Sequence, residues 1–446
     1  MVHMQVYSSG TNFKLYNGNM LDVLSEIEPN SVDSIVTDPP YELGFMGKSW
    51  DNSGVSFQKS TWEKCYTVLK PGGHMLVFGG SRTMHRIACA IEDAGFEIRD
   101  TIMWIYGSGM PKSMNLGLAI DKRNGTPSEV VGYSGATMPD FQDAGAKNSV
   151  NKIGFNDGDT AKRIPQPMLR ARNRWNGWGT TLKPAYEPIL LCRKPCEHTI
   201  IDNVVKWGVG GINIDECRIP LESGYTYKET SRNSRADDTV FSNKSCGFNS
   251  ENNTTASASP LGRFPANVIL TYDESDFDEV CSGLPNTNGG NRVGTVAMRC
   301  SDKNSGYGYE INSRNEYADS GSAARYFYCA KASKRDRSEG VENCGIESNN
   351  HPTVKPTSLM QYLVRLITPK GGIVLDPFMG SGSTGKAVMY ENADRDANYT
   401  FIGVELAENY CNIATARIQF AAGDVSPIET PKGTVHTSQE VGLFDL

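Results

Sequence analysis

The segment Thr-Asp-Pro-Pro-Tyr at residues 37–41 constrains this chain more than any other stretch. It directly follows the run 32–36, which predicts a strand. Proline donates no hydrogen bond to a sheet, its ring holds φ at about −65°, and the residue before it stays extended. The backbone must therefore leave the sheet rigidly, presenting a carboxylate, a free carbonyl and an aromatic face. These groups suit an exocyclic amino group on a flat ring; the alternative is an ordinary strand-ending turn.

A second informative segment lies near the other end of the chain. Residues 373–385 predict a buried strand that ends at Asp376, a glycine-rich turn and the start of a helix. Glycines let the backbone approach a ligand closely, and a helix N-terminus presents free N–H groups. The run 399–405 predicts a further strand that ends in Glu405. An acid at this place in a strand–turn–helix–strand unit is suited to bind ribose hydroxyls.

Two other nucleotide-binding patterns overlap the glycine-rich turn. Glycines at 380, 382 and 385 match the dinucleotide fingerprint, which leaves an NAD- or FAD-dependent oxidoreductase open. Residues 380–386 also match most of a phosphate-binding P-loop, but Ala387 stands where a Ser or Thr would hold Mg²⁺. Asp376 argues against both patterns, because a carboxylate there would face a pyrophosphate or a triphosphate. It suits a ligand with a cationic amino group.

Taken together, the two segments resemble the amino-methylating DNA methyltransferases. In that family an Asp-Pro-Pro-Tyr loop holds the target amino group, and an Asp-Pro-Phe-x-Gly-Ser-Gly loop holds S-adenosylmethionine. The order of the two loops is similar to that of the permuted beta class of bacteria and phages. The turn and strand at 69–78, and the segment 351–356 with the run 359–367 behind it, look like further motifs of the family.

The resemblance implies an α/β, Rossmann-like fold. We expect a twisted mixed, mostly parallel sheet, a circularly permuted motif order and an inserted target-recognition domain. The expected divisions are a catalytic half at 1–195 with a loop insertion at about 112–180, a target-recognition region at 196–345, a cofactor-binding half at 346–421, and a flexible tail at 422–446. Residues 98–106 and 186–193 predict a strand hairpin at the sheet edge, and 267–271 and 324–329 are shorter candidate strands.

The resemblance also implies the site residues. The catalytic loop comprises Asp38, Pro39, Pro40 and Tyr41. The cofactor-binding residues are Asn19, Thr353, Lys355, Asp376, Pro377, Phe378, Gly380, Ser381, Gly382 and Glu405. Asp376 and the turn 380–382 would hold the methionine moiety, and Thr353 and Lys355 would lie near its carboxylate. Asn19, where family members often carry Asp, would lie near the adenine.

The implied reaction is methyl transfer from S-adenosylmethionine to adenine N6 in double-stranded DNA, as in restriction-modification enzymes. Tyr41 would stack on the flipped base, while Asp38 and the Pro39 carbonyl would accept the two amino N–H bonds. Cytosine N4 is the alternative target. Cytosine-N4 enzymes often begin this loop with Ser, whereas adenine-N6 enzymes usually begin it with Asp, as this chain does. A catalytically silent DNA-binding protein is the remaining rival.

Charge indicates where DNA would bind. The net charge is −7 and the pI about 5.5, so contact with DNA requires a local basic face. Two stretches interleave cations with aromatic residues. The candidate DNA-contact residues are Arg170, Arg172, Arg174, Lys183, Lys331, Lys334 and Arg335. Lys and Arg at such positions neutralise phosphates.

Composition indicates a cytoplasmic, nucleoid-associated protein, or one in the host cytoplasm if phage-encoded. No apolar run approaches the ~20 residues that span a membrane, and the first ten residues show no signal-peptide pattern. Eleven scattered cysteines predict reduced thiols. Cys192, Cys196, His198 and Cys217 could supply four zinc ligands, but without a paired Cys-x-x-Cys knuckle we predict buried thiols and no metal.

Two partner contacts remain open. Related beta-class enzymes are often dimers, so a homodimer is possible, although the sequence carries no interface signature. The chain ends in a polar tail with the residues Gln-Glu-Val-Gly-Leu-Phe-Asp-Leu at 439–446. A Gln followed by a Leu-Phe pair resembles peptides that dock into bacterial sliding clamps; the alternative is a tail that packs on its own domain.

Overall fold

The computed structural model describes residues 6–44, 49–106, 113–134, 166–220, 262–272, 286–287, 321–322, 327–331, 335–341 and 348–424. The chain divides into two compact units. Residues 1–107 and 186–446 form the main unit, and residues 108–185 form the insertion unit. The predicted clamp-binding tail and Lys334 lie outside the described residues.

The main unit alternates strands and helices. Its strands and helices, with those of the insertion unit, are in chain order β1 (Val6–Gly10), β2 (Phe13–Asn17), α1 (Met20–Glu26), β3 (Val32–Thr37), α2 (Lys59–Val68), β4 (Leu69–Phe78), α3 (Met84–Asp93), β5 (Glu97–Tyr106), α4 (Leu116–Asn124), β6 (Glu129–Ser134), β7 (Gln166–Arg170), β8 (Tyr186–Arg193), α5 (Ile200–Trp207), β9 (Val268–Tyr272), β10 (Asn286–Thr287), β11 (Gly321–Ser322), β12 (Tyr328–Lys331), α6 (Thr357–Ile367), β13 (Ile373–Asp376), α7 (Ser383–Arg395), β14 (Thr400–Glu405) and α8 (Glu408–Ala421). Helix α4 and strands β6 and β7 belong to the insertion unit.

One ten-stranded sheet organises the main unit. Its order is β1-β2-β14-β13-β3-β4-β8-β5-β9-β12. The pairs β2–β14, β14–β13, β13–β3, β3–β4, β5–β9 and β9–β12 are parallel, whereas β1–β2, β4–β8 and β8–β5 are antiparallel. The predicted mixed, mostly parallel α/β fold is confirmed.

The central pair β3–β13 positions the site. Val374 pairs with Ser34 and Leu375 with Ile35, so the strand ends carrying the two predicted loops lie side by side. Ligands of open α/β sheets bind at the carboxyl ends of such strands. The two loops are far apart in sequence, and this strand pair is what brings them together.

Both faces of the sheet are covered. One buried cluster packs α6, α7 and α8 on the sheet through residues such as Leu363, Val388 and Ile418. The opposite cluster includes Val23, Trp62 and other residues of α1, α2 and α3. Every residue of β3 is buried, as expected for a parallel strand covered on both faces.

The predicted hairpin forms, but its predicted place at the sheet edge is wrong. Strands β5 and β8 pair antiparallel, with Ile102 opposite Ile189. Strands β9 and β12 then pair parallel beyond β5 and make it an interior strand. They come from the span 196–345, so part of that span extends the main sheet.

The insertion unit is held together by Asp121. Strands β6 and β7 pair antiparallel. The buried Asp121 carboxylate on α4 accepts hydrogen bonds from the Arg172 N–H at 2.9 Å and the Asn173 amide at 2.7 Å. The Ser128 hydroxyl donates to it at 3.2 Å. This network orders the backbone of the predicted basic stretch.

Each helix in the described part of the chain is too short or too polar to cross a bilayer. No group of three or more His, Cys, Asp or Glu side chains in the described ranges is placed to hold a metal ion. Cys192 and Cys217 are buried in the apolar clusters.

Candidate active site

A cavity of about 570 Å³ opens at the carboxyl ends of β3 and β13 in the main unit. Both predicted loops line it. The predicted residues among its lining are Asn19, Asp38, Pro39, Pro40, Tyr41, Thr353, Lys355, Asp376, Pro377, Phe378, Gly380, Ser381 and Glu405. The remaining predicted cofactor-binding residue, Gly382, occupies the N-cap position of α7.

Asp376 ties the two loops together. Its Oδ1 accepts hydrogen bonds from the Thr37 hydroxyl at 2.7 Å and the Phe378 N–H at 3.1 Å. Its Oδ2 accepts from the Thr384 hydroxyl at 2.6 Å. Burial raises the pKa of this carboxyl to about 6, although the hydrogen bonds oppose the shift. Asp376 therefore joins β3, β13 and α7 with both of its oxygens.

The glycine turn brings backbone to the cavity. Gly380 and Gly382 have φ values of 54° and 77°, in the left-handed region. A Cβ on Gly380 would lie 2.9 Å from His351 Nε2, and one on Gly382 would lie 2.9 Å from the Ala414 side chain. A side chain at either position would strain the backbone and crowd its neighbour.

Glu405 holds the same turn from the adjacent strand. Its Oε2 accepts from the Gly380 N–H at 2.9 Å, and its Oε1 accepts from the Ala407 N–H at 2.8 Å. Burial raises the pKa of this carboxyl. Each oxygen keeps a lone pair for a further donor. Glu405 thus organises the turn as well as lining the cavity where ribose binding is predicted.

Lys355 occupies a place that its sequence motif did not predict. Its ammonium lies 2.6 Å from Asp38 Oδ2, 3.3 Å from Glu187 Oε2 and 3.3 Å from the Tyr41 hydroxyl. It also lies 4.9 Å from the Phe78 ring centroid. The ammonium is therefore engaged by the catalytic loop and Glu187, and the place near the cofactor carboxylate that the resemblance implied stays a prediction.

Glu187 is a site residue that the sequence analysis missed. It lies on β8 and its side chain lines the cavity. The Tyr41 hydroxyl donates to Oε2 at 2.8 Å, and the Tyr106 hydroxyl donates to Oε1 at 3.2 Å. Its sequence signal was an acid at the start of an otherwise apolar strand.

Asp38 keeps one oxygen free. Its Oδ2 binds Lys355, but its Oδ1 is buried without a hydrogen-bond partner among the residues that the structure describes. Burial raises the pKa of the Asp38 carboxyl, the Lys355 ammonium opposes this, and Glu187 adds to it. A buried acceptor without a partner is costly, so this oxygen is suited to a donor from a ligand.

Asn19, which was predicted to lie near the adenine, caps a helix at the cavity. Its side-chain oxygen accepts a hydrogen bond from the Leu21 N–H at 3.0 Å, at the N-terminus of α1.

Lys386, the lysine of the P-loop-like pattern, is fully buried, with its ammonium 2.6 Å from Asp336 Oδ1 and 3.0 Å from Glu339 Oε2. Its ammonium is engaged by these two carboxylates, which argues against the P-loop alternative.

The predicted DNA-contact residues fall in different places. Arg170, Arg172, Arg174 and Lys183 are exposed on the insertion unit. Arg335 is exposed in the main unit, 3.8 Å from Glu339. Lys331 lies on β12, and its side chain is outside what the structure describes, as is all of Lys334.

Comparisons with known proteins identify the family of this chain. The sequence profile of the N6/N4 DNA methylase family matches residues 32–416. The chain is 36% identical to the type II methyltransferase M.HpaI of Haemophilus parainfluenzae over 106 residues, which cover 22% of this chain and 34% of that protein. It is 28% identical to the type II methyltransferase M2.LlaDCHI of Lactococcus lactis subsp. cremoris over 229 residues, or 46% of this chain and 81% of that protein.

A similar solved structure is that of PvuII DNA methyltransferase (cytosine-N4-specific). It aligns with 94% of this chain and 89% of its own, at 15% sequence identity and a TM-score of 0.43.

Proposed function

This chain belongs to the N6/N4 DNA methylase family, and we propose that it transfers a methyl group from S-adenosylmethionine to the N6 amino group of an adenine in double-stranded DNA. One observation carries the proposal. The Asp-Pro-Pro-Tyr loop and the glycine turn line one cavity, and the Thr37–Asp376 hydrogen bond joins them. An amine and a methyl donor must meet in such a place.

The cofactor side of the cavity fits S-adenosylmethionine. The turn 380–382 offers backbone at the N-terminus of α7, with no side chain at Gly380 or Gly382 to block a ligand. Glu405 would accept the ribose hydroxyls, and Asp376 would face the methionine amino group. Bound there, S-adenosylmethionine supplies an electrophilic methyl group on a sulfonium sulfur.

The catalytic loop would hold the base. Extrusion of the base from the duplex costs a few kcal/mol, and stacking of the base on Tyr41 would offset part of that free-energy cost. Asp38 Oδ1 and the Pro39 carbonyl would accept the two amino N–H bonds. These bonds draw the nitrogen lone pair out of conjugation with the ring, toward the methyl group.

The reaction is a direct displacement. The amino nitrogen forms the new N–C bond as the S–C bond breaks, leaving S-adenosylhomocysteine, and the nitrogen then releases one proton to solvent. Holding nitrogen and methyl carbon near contact supplies a large share of the rate, because it removes the entropy cost of their encounter. The Asp38 carboxylate stabilises the positive charge that grows on the nitrogen.

The insertion unit is the proposed DNA-contact surface. Residues 108–185 contain eleven Lys or Arg and six Asp or Glu, whereas the whole chain has a net charge of −7. Arg170, Arg172 and Arg174 are exposed there, with Trp178 at 58% exposure. A positive surface on an acidic protein fits a polyanionic partner, and each phosphate contact steepens the salt dependence of binding.

The experiment is nucleoside analysis of duplex DNA after incubation with the protein and S-adenosylmethionine. We expect N6-methyladenine. N4-methylcytosine alone would overturn the choice of base and keep the enzyme class. If no methylated base formed, and if NAD bound in preference to S-adenosylhomocysteine, the oxidoreductase alternative would take its place. Long-read sequencing of DNA from expressing cells would then identify the recognised site.

We also propose that the protein is located at the nucleoid, that it forms a homodimer and that its tail contacts a sliding clamp. A homodimer would appear in light scattering as twice the mass of 48.8 kDa. Sliding-clamp capture by the tail should be lost in the double variant Leu443→Ala, Phe444→Ala. Equal capture of both forms would contradict the clamp contact.

A further inference from the structure

The Lys355 ammonium sits between two carboxylates in the wall of the cavity. Its side chain is 7% exposed, and those of Asp38 and Glu187 are 19% and 22% exposed. The rings of Tyr41, Phe78 and Trp104 lie around it, with centroids 5.4, 4.9 and 5.9 Å from Nζ. An ammonium this enclosed has exchanged most of its water for these partners.

The ion pair determines what Asp38 can do for an amine. A carboxylate accepts hydrogen bonds with both oxygens, whereas a protonated carboxyl uses one oxygen as a donor. Burial alone favours the protonated form, since it penalises charge. The Lys355 ammonium on Oδ2 favours the charged form, and the buried Oδ1 has no hydrogen-bond partner within the described part of the chain.

Glu187 fastens this arrangement to the sheet. Its two oxygens accept from the hydroxyls of Tyr41 and Tyr106, and its Oε2 lies 3.3 Å from Lys355 Nζ. Two carboxylates therefore share one ammonium, and the formal charge of the cluster is −1 when both carboxylates are ionised. That surplus lies beside the loop where a nitrogen would become positive during methyl transfer.

We propose that Lys355 and Glu187 are positioning residues for the target amine: Lys355 keeps Asp38 ionised with Oδ1 directed to the amino group, and Glu187 anchors Lys355 and Tyr41 while supplying the surplus negative charge. The inference rests on the proposed methyl transfer and assigns Lys355 to the base side of the cavity. Within the described ranges, the titratable or charged groups that face Asp38 are Lys355, Glu187, Tyr41 and, beyond Thr37, Asp376.

The two residues should act on Asp38 with opposite sign. Loss of the Lys355 charge raises the pKa of Asp38, so the acid limb of the kcat/KM profile should move to higher pH in Lys355→Gln. Loss of the Glu187 charge lowers the pKa of Asp38, so that limb should move to lower pH in Glu187→Gln. The kcat/KM profile reports the groups of the free enzyme. A merely structural disturbance would not shift the limb in two opposite directions.

The test measures pH profiles of methyl transfer together with S-adenosylhomocysteine binding by calorimetry. At neutral pH we expect kcat/KM to fall about 10²-fold in Lys355→Gln, the size of effect seen when one charge-stabilising group is removed. Raising the pH should recover part of that activity, Lys355→Arg should keep the wild-type limb, and S-adenosylhomocysteine affinity should stay unchanged.

Lys194→Gln is the matched control. Lys194 is also buried, but its ammonium binds Asn30 Oδ1 and the carbonyls of Tyr66 and Leu69, away from the cavity. We expect this variant to lower the melting temperature and leave the acid limb unmoved.

Three results would overturn the inference in an active wild-type enzyme. These are unmoved limbs in both glutamine variants, movement of both limbs in the same direction, or loss of S-adenosylhomocysteine binding in Lys355→Gln, which would place Lys355 at the cofactor carboxylate. If Lys355→Gln does not fold, the direction of the Glu187→Gln shift decides. A wild-type protein without methyl transfer would instead refute the proposed function.

Discussion

The Thr37 hydroxyl donates a hydrogen bond to Asp376 Oδ1 across 2.7 Å, and this bond links the end of β3 to the end of β13. Both residues are buried, at 0% and 2% exposure. Each residue adjoins one of the two functional loops. This hydroxyl therefore joins the two loops in addition to the pairing of β3 with β13.

Thr37→Val removes that hydroxyl and keeps the side-chain shape. We expect a loss of about 1–3 kcal/mol in the free energy of unfolding, the cost of leaving a buried acceptor with one bond fewer. We also expect a lower kcat, because misplacement of the loops separates nitrogen from methyl carbon. Urea unfolding and single-turnover methylation measure the two effects. Thr67→Val is the control, since its hydroxyl only binds the Glu63 carbonyl on the surface of α2; a similar loss there would count against the link.

Asp38→Ala should abolish methyl transfer, with a fall of 10²-fold or more, since a transition-state acceptor is lost. S-adenosylmethionine binding should persist, because Asp38 contacts Lys355 and not the glycine turn. Methylation assays and calorimetry separate the two. Turnover of Asp38→Ala at near the wild-type rate would mean that the active site is wrongly assigned.

Tyr41 variants separate stacking from hydrogen bonding. Tyr41→Trp keeps a stacking face and should retain some activity, whereas Tyr41→Ala should lose far more, because base–aromatic stacking contributes about 1–3 kcal/mol. Tyr41→Phe keeps the ring and removes the hydroxyl that donates to Glu187 and accepts from Lys355. It should fall between the wild type and Tyr41→Ala in kcat/KM. Equal activity of the Ala and Trp variants would exclude a stacking role.

Lys386→Met tests the buried ion pairs behind the cofactor turn. Its ammonium lies against Asp336 and Glu339, so its removal deprives two partly buried carboxylates of their nearest cation. We expect a loss of about 3–5 kcal/mol in stability by urea unfolding. Lys59→Met, which breaks an exposed pair with Glu63, should change stability by about 1 kcal/mol or less. Comparable losses in both variants would show that the buried ion pairs of Lys386 contribute no more to the free energy of unfolding than an exposed pair does.

Asp376 should make stability depend on pH. Its pKa is raised from 3.8 to about 6 in the folded protein. The folded state therefore binds the proton more tightly than the unfolded chain. The associated stability is complete below pH about 4 and is lost as pH rises through about 6, by an order of 2–3 kcal/mol. Urea unfolding of the ligand-free protein from pH 4 to 7 should show this slope, and Asp376→Asn should remove it. An unchanged slope in Asp376→Asn would assign it to another group.

The sequence by itself determined the local parts of this site. Pro39 and Pro40 have no N–H to donate, which favours an exit from the sheet directly after β3, and a turn that needs positive φ at two positions selects Gly380 and Gly382. Apolar runs predicted the central strands. These features depend on backbone sterics and on patterns within a few residues, so they can be read along the chain. The fold itself was implied by the resemblance of the two loops, in this order, to a known family.

Only the tertiary structure determined which charged side chains contact one another. Lys355 and Glu187 come from distant segments, and no local pattern predicts that their side chains converge on Asp38. The interior place of β5 likewise depends on β9 and β12, which pair with it from far along the chain. An ion pair depends on distance and burial, and both are set when strands from distant parts of the chain pack into one sheet.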